Sequence, residues 1–316
     1  MALAGKPGLG PLFSRKSNVL AIKNQPYLLL TLAVLFWAGN FIVGRAFHGQ
    51  IPPVALAFWR WVGAAVLVTG PAMKYLRTDW RLLVRDWPII VLLSLTGVAS
   101  FNTLVYSGLQ YTQAINAFLL QSLMPVLILV MSFLLFQEKV RPRQAFGVLV
   151  SMWGAVTIIS QGDVTILRNL SFNRGDLLVF AAVVGYAVYS VMLRKRPRVH
   201  ALSLITATFW LGTLMIFPLY IWETMSVPPL QVTTRSLLAI AYVALFPSIL
   251  SYLCYTRGVA LIGANRAGLF IHLMPVFGSI MAILFLGERF AWFHAAGIVM
   301  IGTGILLATF RVKTSS

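Results

Sequence analysis

Apolar runs of roughly 20 residues follow one another along almost the whole chain, separated by short polar connections. About 20 apolar residues are what an α-helix needs to cross the hydrocarbon core of a bilayer. Backbone groups in hydrocarbon have no water to bond, so each run must satisfy its own hydrogen bonds as a helix. The pattern predicts an all-α integral membrane protein. Of 316 residues, 59% are hydrophobic and 10% charged, which leaves nothing for a soluble domain between the runs.

Ten candidate spans can be placed, at 26–47, 53–73, 87–109, 112–136, 143–161, 174–194, 200–222, 234–257, 262–286 and 291–311. Cytoplasmic loops carry an excess of Lys and Arg, which sets the orientation. With the N-terminus inside, the inner side collects Lys6, Arg15, Lys16 and Lys23, then Lys74, Arg77, Arg81 and Arg85. It also collects Lys139, Arg141 and Arg143, then Arg194, Lys195, Arg196 and Arg198, and finally Arg311 and Lys313. The outer side receives only Arg45, Arg168, Arg174, Arg235 and Arg289. Both termini are therefore expected in the cytoplasm, with the chain in the cytoplasmic (inner) membrane. This distribution accounts for the net charge of +18. A nucleic-acid binder would gather its basic residues on one patch, so no nucleic-acid partner is expected. Cys254 is the only cysteine, which excludes an intramolecular disulfide and a cysteine metal cluster. The basic first 24 residues read as a cytoplasmic tail, since no small-residue cleavage site follows the first run.

The chain also repeats itself. LMPV occurs at 123–126 and again at 273–276, and at the same offset of 150 Glu138 meets Glu288, Gly147 meets Gly297 and Gly154 meets Gly304. Phe58-Trp59 meets Phe209-Trp210 at an offset of 151, and Tyr106 meets Tyr255 at 149. The chain reads as two five-helix halves, 26–161 and 174–311, with an external linker at 162–173 and tails at 1–25 and 312–316. Five is odd, so the halves would lie in the membrane with opposite orientation. Inverted repeats are a transporter signature, with the substrate site near the midplane and one half rocking against the other. Pro125 and Pro275 occupy equivalent places in spans 4 and 9. A proline gives no N–H to the carbonyl four residues earlier, so paired kinks are expected there, either as hinges beside a pathway or as plain helix shape.

Taken in order, these motifs resemble the drug/metabolite transporter superfamily in its ten-helix, EamA-like branch. The residues that carry the resemblance are Phe36-Trp37-Ala38-Gly39-Asn40-Phe41 in span 1, Arg60 in span 2, and the span-4 run from Asn116 through Leu123-Met124-Pro125 to Glu138. The counterpart through Leu273-Met274-Pro275 to Glu288 and the glycine-spaced spans 5 and 10 complete it. Within that superfamily the chain is most similar to bacterial exporters of aromatic and other neutral amino acids of the YddG type. The resemblance implies ten helices around a central cavity, export across the cytoplasmic membrane, no cofactor and no obligatory protein partner.

Helical spacing selects the residues that could line such a cavity. Trp37, Asn40 and Phe41 share one face of span 1, and Tyr186 and Tyr189 share the equivalent face of span 6. Span 3 adds Phe101, Asn102 and Tyr106, and span 8 adds Ser251 and Tyr252 on one face with Ser248 and Tyr255. Gln121 in span 4 and Phe270 and His272 in span 9 complete the set. Aromatic walls with a few polar groups are typical of ligand sites and would suit an aromatic or aliphatic amino acid. The same residues can also simply pack between helices.

Arg60 lies inside span 2, where it either anchors a carboxylate, snorkels to the outer interface or caps neighbouring carbonyls. Arg266 begins span 9, where it either draws in a carboxylate or is an ordinary inner-side charge. His272 either titrates or is a structural histidine bonded to a backbone carbonyl. All seven acids, Asp79, Asp86, Glu138, Asp163, Asp176, Glu223 and Glu288, fall in loops or at expected helix ends. A mid-span carboxylate relay, the usual device of proton-coupled pumps, is therefore not expected, which favours facilitated export. No nucleophile with a base, HExxH set or phosphate loop is present, so catalysis is not expected. Two alternatives share the ten-helix plan. A lipophilic-drug exporter would accept the same pocket, and a nucleotide-sugar or sugar-phosphate exchanger would need more cations than Arg60 and Arg266 provide.

Overall fold

The computed structural model describes residues 24–46, 51–228, 230–286 and 289–309, and every regular element among them is helical. Helix α1 is Pro26–Ala46, α2 is Pro53–Arg85 and α3 is Trp87–Gly108. Helix α4 comes in two pieces, Ala114–Gln121 and Met124–Phe136, and α5 is Pro142–Ile159. Then follow α6, Arg174–Lys195, α7, Ala201–Ser226, and α8, Thr234–Ile262. Helix α9 is again interrupted, with Ala264–Leu269 and Leu273–Leu286 joined by the 3-10 turn Phe270–His272. Helix α10 is Trp292–Thr309. Among the described residues, seven helices (α2, α3, α4, α6, α7, α8 and α10) are long and apolar enough to cross a membrane, and Pro26–Asn40 is a shorter apolar stretch.

Outward-facing side chains include Val66, Leu67, Leu134, Phe146, Leu214, Leu284 and Val299, a surface suited to lipid tails rather than water. Trp80 and Trp87 are exposed at one end of the bundle and Trp222 and Trp292 at the other, where aromatic belts meet the headgroups.

The helices run further than hydropathy suggests. The expected connection after residue 73 is helical to Arg85, and Pro71 sits inside α2 without ending it. Leu83 on that extension is buried while Lys74, Arg77 and Arg81 stay outside the core. The expected linker 162–173 holds a short helix, Val164–Arg168, capped by Asp163, whose Oδ1 accepts the Thr165 N–H at 2.7 Å. Helix α7 extends to Ser226 and carries Glu223 onto the start of α2. Its carboxylate accepts the N–H groups of Val54 and Ala55 at 2.9 and 2.6 Å, two donors a helix start leaves unpaired.

Packing follows a regular scheme. Helix α1 packs on α8 and α9, and α6 packs on α3 and α4, while α2 pairs with α7 and α5 with α10. Exchanging the first five helices with the second five leaves this scheme unchanged. Polar contacts near the helix ends fall into two groups. Asp79 accepts from His200 N and Ser203 Oγ, Arg194 pairs with Glu138 at 3.6 Å, and Arg257 donates to Asn24. At the opposite end Asp176 accepts from Thr112, Asn116 and the Asn173 N–H.

Helices α5 and α10 touch through glycine. A Cβ added to Gly147 would stand 2.6 Å from the Gly304 carbonyl, and one on Gly154 would stand 2.9 Å from that of Gly297. The four glycines that match at an offset of 150 thus meet crosswise within one chain, Gly147 with Gly304 and Gly154 with Gly297. Gly154→Leu is expected to separate the pair, lowering the thermal unfolding midpoint of the purified protein by at least about 5 °C. An overpacked core site loses about 1–3 kcal/mol or more. An unchanged midpoint would show that the crossing tolerates a side chain.

Candidate functional site

The breaks in α4 and α9 are matched by two π-helical stretches, Ser94–Ser100 in α3 and Leu245–Leu250 in α8. A π-turn leaves a carbonyl without its α-helical partner and is often found at functional sites. Around these four irregularities lies a cavity of about 30 Å³, lined by Trp37, Asn40, Arg60, Phe101, Asn102, Gln121, Met124, Tyr186, Tyr252, Ile271 and Met274. Several lining residues are repeat partners. Trp37 and Tyr186 lie 149 apart, and Gln121 and Ile271, like Met124 and Met274, lie 150 apart. The cavity therefore sits where the two halves face each other. Its size admits about two waters, far below the ~300 Å³ or more of a typical ligand pocket. The walls are closed on one another in this conformation.

Arg60 is the charged group of the cavity. It is 2% exposed and does not snorkel. Its Nε donates to Ser248 Oγ at 2.7 Å, and its Nη1 donates to Asn40 Oδ1 and Asn102 Oδ1, both at 3.0 Å, and to Tyr106 Oη at 3.1 Å. Its Nη2 donates to the Pro247 carbonyl at 3.2 Å. The Tyr106 hydroxyl in turn donates to Asn40 Oδ1 at 3.0 Å. Arg60 thus ties α1, α3 and α8 together, and every one of these partners is neutral. The Pro247 carbonyl also accepts from Trp37 Nε1 at 3.1 Å. Proline at 247 deprives the Val243 carbonyl of its usual donor, and the Ser248 hydroxyl fills that place at 2.8 Å.

The apolar wall is aromatic. Trp37 meets Tyr186 edge-on at 5.7 Å between centroids, Phe101 tilts onto Tyr186 at 4.8 Å, and Tyr252 meets Trp37 edge-on at 6.4 Å. The Tyr252 hydroxyl donates to the Gly97 carbonyl. Gln121 is 4% exposed, and neither its amide oxygen nor its nitrogen has a hydrogen-bond partner.

Of the residues chosen by spacing, Trp37, Asn40, Phe101, Asn102, Gln121, Tyr186 and Tyr252 line the cavity, as does Arg60. Tyr106 stands behind Arg60. Tyr189 is buried against Tyr186 and Tyr252, at 5.1 and 5.7 Å. Ser251 bonds to the Ala33 and Phe246 carbonyls, and Phe270 stacks on Tyr27. His272 is set behind the main wall, beside a cleft of about 10 Å³ that Pro275 also lines. Its Nε2 meets the Ser122 carbonyl at 2.9 Å and its Nδ1 meets Ser151 Oγ at 2.7 Å. This is the carbonyl-bonded histidine of the structural reading. Arg266 lies in the first piece of α9, half-buried and outside the cavity lining. The side chain of Phe41, together with Glu288, lies outside the described residues.

Pro125 and Pro275 differ from the expected mid-helix kinks. Each falls in the first turn after a break, where a missing N–H is harmless. Spacing did not select Met124, Ile271 and Met274, which point inward only because α4 and α9 break beside them. A wider recess of about 410 Å³ lies among the ends of α4, α6, α8 and α9, lined by Phe136, Glu138, Arg194, Arg196 and Gly263 among others.

The family model for the EamA-like transporter family matches this chain twice, over residues 24–160 and 173–310. Similar proteins include the uncharacterized transporter YyaM of Bacillus subtilis (strain 168), 27% identical over 284 residues, which span 90% of this chain and 93% of that one. The uncharacterized transporter YetK of the same organism is 26% identical over 306 residues, covering 95% and 92%. An uncharacterized transporter of Archaeoglobus fulgidus is 26% identical over 289 residues, covering 91% and 98%. A solved crystal structure superposes with a TM-score of 0.74 at 20% identity, over 91% of this chain and 98% of its own, which establishes a shared fold.

Proposed function

The chain belongs to the EamA-like transporter family, and on that premise we propose that it carries small organic solutes bearing a carboxylate and an apolar or aromatic body, neutral amino acids among them, out across the cytoplasmic membrane. The observation that carries this reading is Arg60, a buried cation on an aromatic-walled cavity whose hydrogen-bond partners are all neutral. An intramembrane charge is expensive and marks function by default. A carboxylate on the solute would supply the missing counter-charge, and Trp37, Phe101, Tyr186 and Tyr252 would pack its body.

The exchange-symmetric packing supports two inverted halves moving against each other around this cavity. The recess beside Arg194 and Arg196 would then be the cytoplasmic approach. Breaks next to Pro125 and Pro275 would let α4 and α9 bend. Among the described residues, Arg60 is the one charged side chain on the lining, which makes a nucleotide-sugar exchanger, with its several phosphate charges, the poorer fit.

Counterflow in liposomes tests the reading. Vesicles holding the purified protein are preloaded with one unlabelled solute, with no pH gradient, and labelled solute is added outside. Saturable accumulation driven by carboxylate-bearing aromatic solutes is expected. Exchange restricted to uncharged amphipathic drugs would reject the carboxylate anchor.

A further inference from the structure

The hydrogen bonds around Arg60 restrict the charge of what the cavity can hold, provided that the cavity is the substrate site as proposed above. A guanidinium has five N–H donors and no acceptor. The Nε–H goes to Ser248, the Nη1 pair is shared among Asn40, Asn102 and Tyr106, and Nη2 gives one hydrogen to Pro247, leaving one N–H in hand. Because Arg60 only donates, Asn40 and Asn102 must turn their amide oxygens towards it. Their NH₂ groups, which bond to no described residue, remain as donors on the cavity wall. The Oδ1 atoms of both asparagines, Ser248 Oγ and the Pro247 carbonyl are all occupied by the guanidinium. Among the described residues, the unpartnered acceptors on the lining are Gln121 Oε1 and the Tyr186 hydroxyl, both away from the acceptors that surround the guanidinium.

Carboxylates do not reach this cluster among the described residues. Glu223 holds the start of α2, Asp176 is bonded to Thr112, Asn116 and Asn173, Asp79 to His200 and Ser203, and Glu138 pairs with Arg194. The second half offers no matching charge, because the repeat partners of Asn40, Arg60 and Asn102 are Tyr189, Leu211 and Ser251, at offsets of 149, 151 and 149.

We propose that the cavity selects monoanionic organic acids with an apolar or aromatic body over zwitterionic amino acids, and that one negative charge crosses with each molecule carried. An α-ammonium is fixed beside its carboxylate, so a bound zwitterion would set a cation among the Arg60 and asparagine donors, where the acceptors are taken. A hydroxyl in its place adds no charge. A monoanion also neutralises Arg60 in a site shielded from water, whereas a zwitterion leaves the complex cationic, and a buried charge needs a partner. Moving a net charge makes the membrane potential a driving force. With the cell interior negative, 100 mV sustains an outward gradient of about 50-fold for a monovalent anion. This gives direction to export without a carboxylate proton relay.

Three probes with the same phenylethyl body separate the cases: 3-phenyllactate (anion), phenylalanine (zwitterion) and 2-phenylethylamine (cation). The purified full chain is reconstituted in liposomes, the potential is set with potassium and valinomycin, and labelled flux is followed for wild type and Arg60→Gln. Expected are saturable 3-phenyllactate flux whose direction follows the sign of the potential, at least about 10-fold weaker half-saturation for phenylalanine, and no 2-phenylethylamine flux. Phenylalanine carried as well as or better than 3-phenyllactate, without response to the potential, would overturn the monoanion proposal while leaving the cavity reading intact. Flux of any probe that is indifferent to Arg60→Gln, or no flux of either carboxylate, would overturn both.

Discussion

Arg60→Gln lowers carboxylate-solute transport by about 10- to 150-fold, the expected result of deleting one buried charge-assisted hydrogen-bond donor worth about 1.5–3 kcal/mol. The loss should appear in both half-saturation and maximal rate, because Arg60 also holds the cavity wall in shape. Its five bonds join Asn40 on α1, Asn102 and Tyr106 on α3, and Pro247 and Ser248 on α8. Arg60→Lys separates the two roles. Lysine keeps the charge, but its compact ammonium has only three donors and cannot span the same acceptors. It is expected to retain part of the binding and little of the turnover. Thermal unfolding and size-exclusion profiles of both variants identify any loss due to misfolding. A monodisperse Arg60→Gln protein that transports like wild type would remove Arg60 from the site.

The chemistry of this cluster was only partly legible in the sequence. Trp37 and Asn40 could be assigned to a cavity because their spacing puts them on one helical face. Tyr189 and Ser251 share faces with Tyr186 and Tyr252 by the same rule, yet one packs between rings and the other bonds to Ala33 and Phe246. Spacing fixes a direction around a helix but not the height at which neighbouring helices part. That height is set by the breaks at Ser122–Leu123 and Phe270–His272 and by the π-helical stretches. Hydropathy is blind to all four, and Pro247 was their one local mark in α8. A sharper signal lay in the repeat. At some positions where the halves agree, as at Gly147 and Gly297, the residues serve packing. Where they differ, as at Arg60 and Leu211, the chain departs from its own template, and Asn40, Arg60 and Asn102 of the polar cluster are such departures, whereas Tyr106 matches Tyr255. The apolar runs were legible for the opposite reason. Burial in lipid constrains some 20 consecutive residues at once, so no single substitution hides them. The helical extension of α2 was lost because charged residues end a hydropathy run without ending a helix.

His272→Leu should destabilise the protein by about 1–3 kcal/mol, the usual penalty for leaving a buried carbonyl unpaired, and His272→Gln should recover most of it. His272 stands at an offset of 150 from Ser122, and the two repeat partners bond to each other, histidine Nε2 to serine carbonyl, at 2.9 Å. A carbonyl can only accept, so Nε2 carries the proton and Nδ1 accepts from Ser151. That assignment turns the Ser151 hydroxyl away from the Val148 carbonyl, its other partner at 3.0 Å. The bond joins the break of α4 to the break of α9 at the centre of the exchange symmetry, and Ser151 fastens both to α5. Leucine fills the space but gives no donor. Glutamine reaches the Ser122 carbonyl with its amide nitrogen, which lies where Nε2 does. Two readouts are needed. The unfolding midpoint of the purified protein reports whether the bond holds the breaks together, and counterflow reports whether they must stay joined for transport. A leucine variant as stable as wild type would mean that packing alone holds α4 against α9. A variant that is less stable yet exchanges solute faster would mean that the clasp resists the bending which opens the cavity.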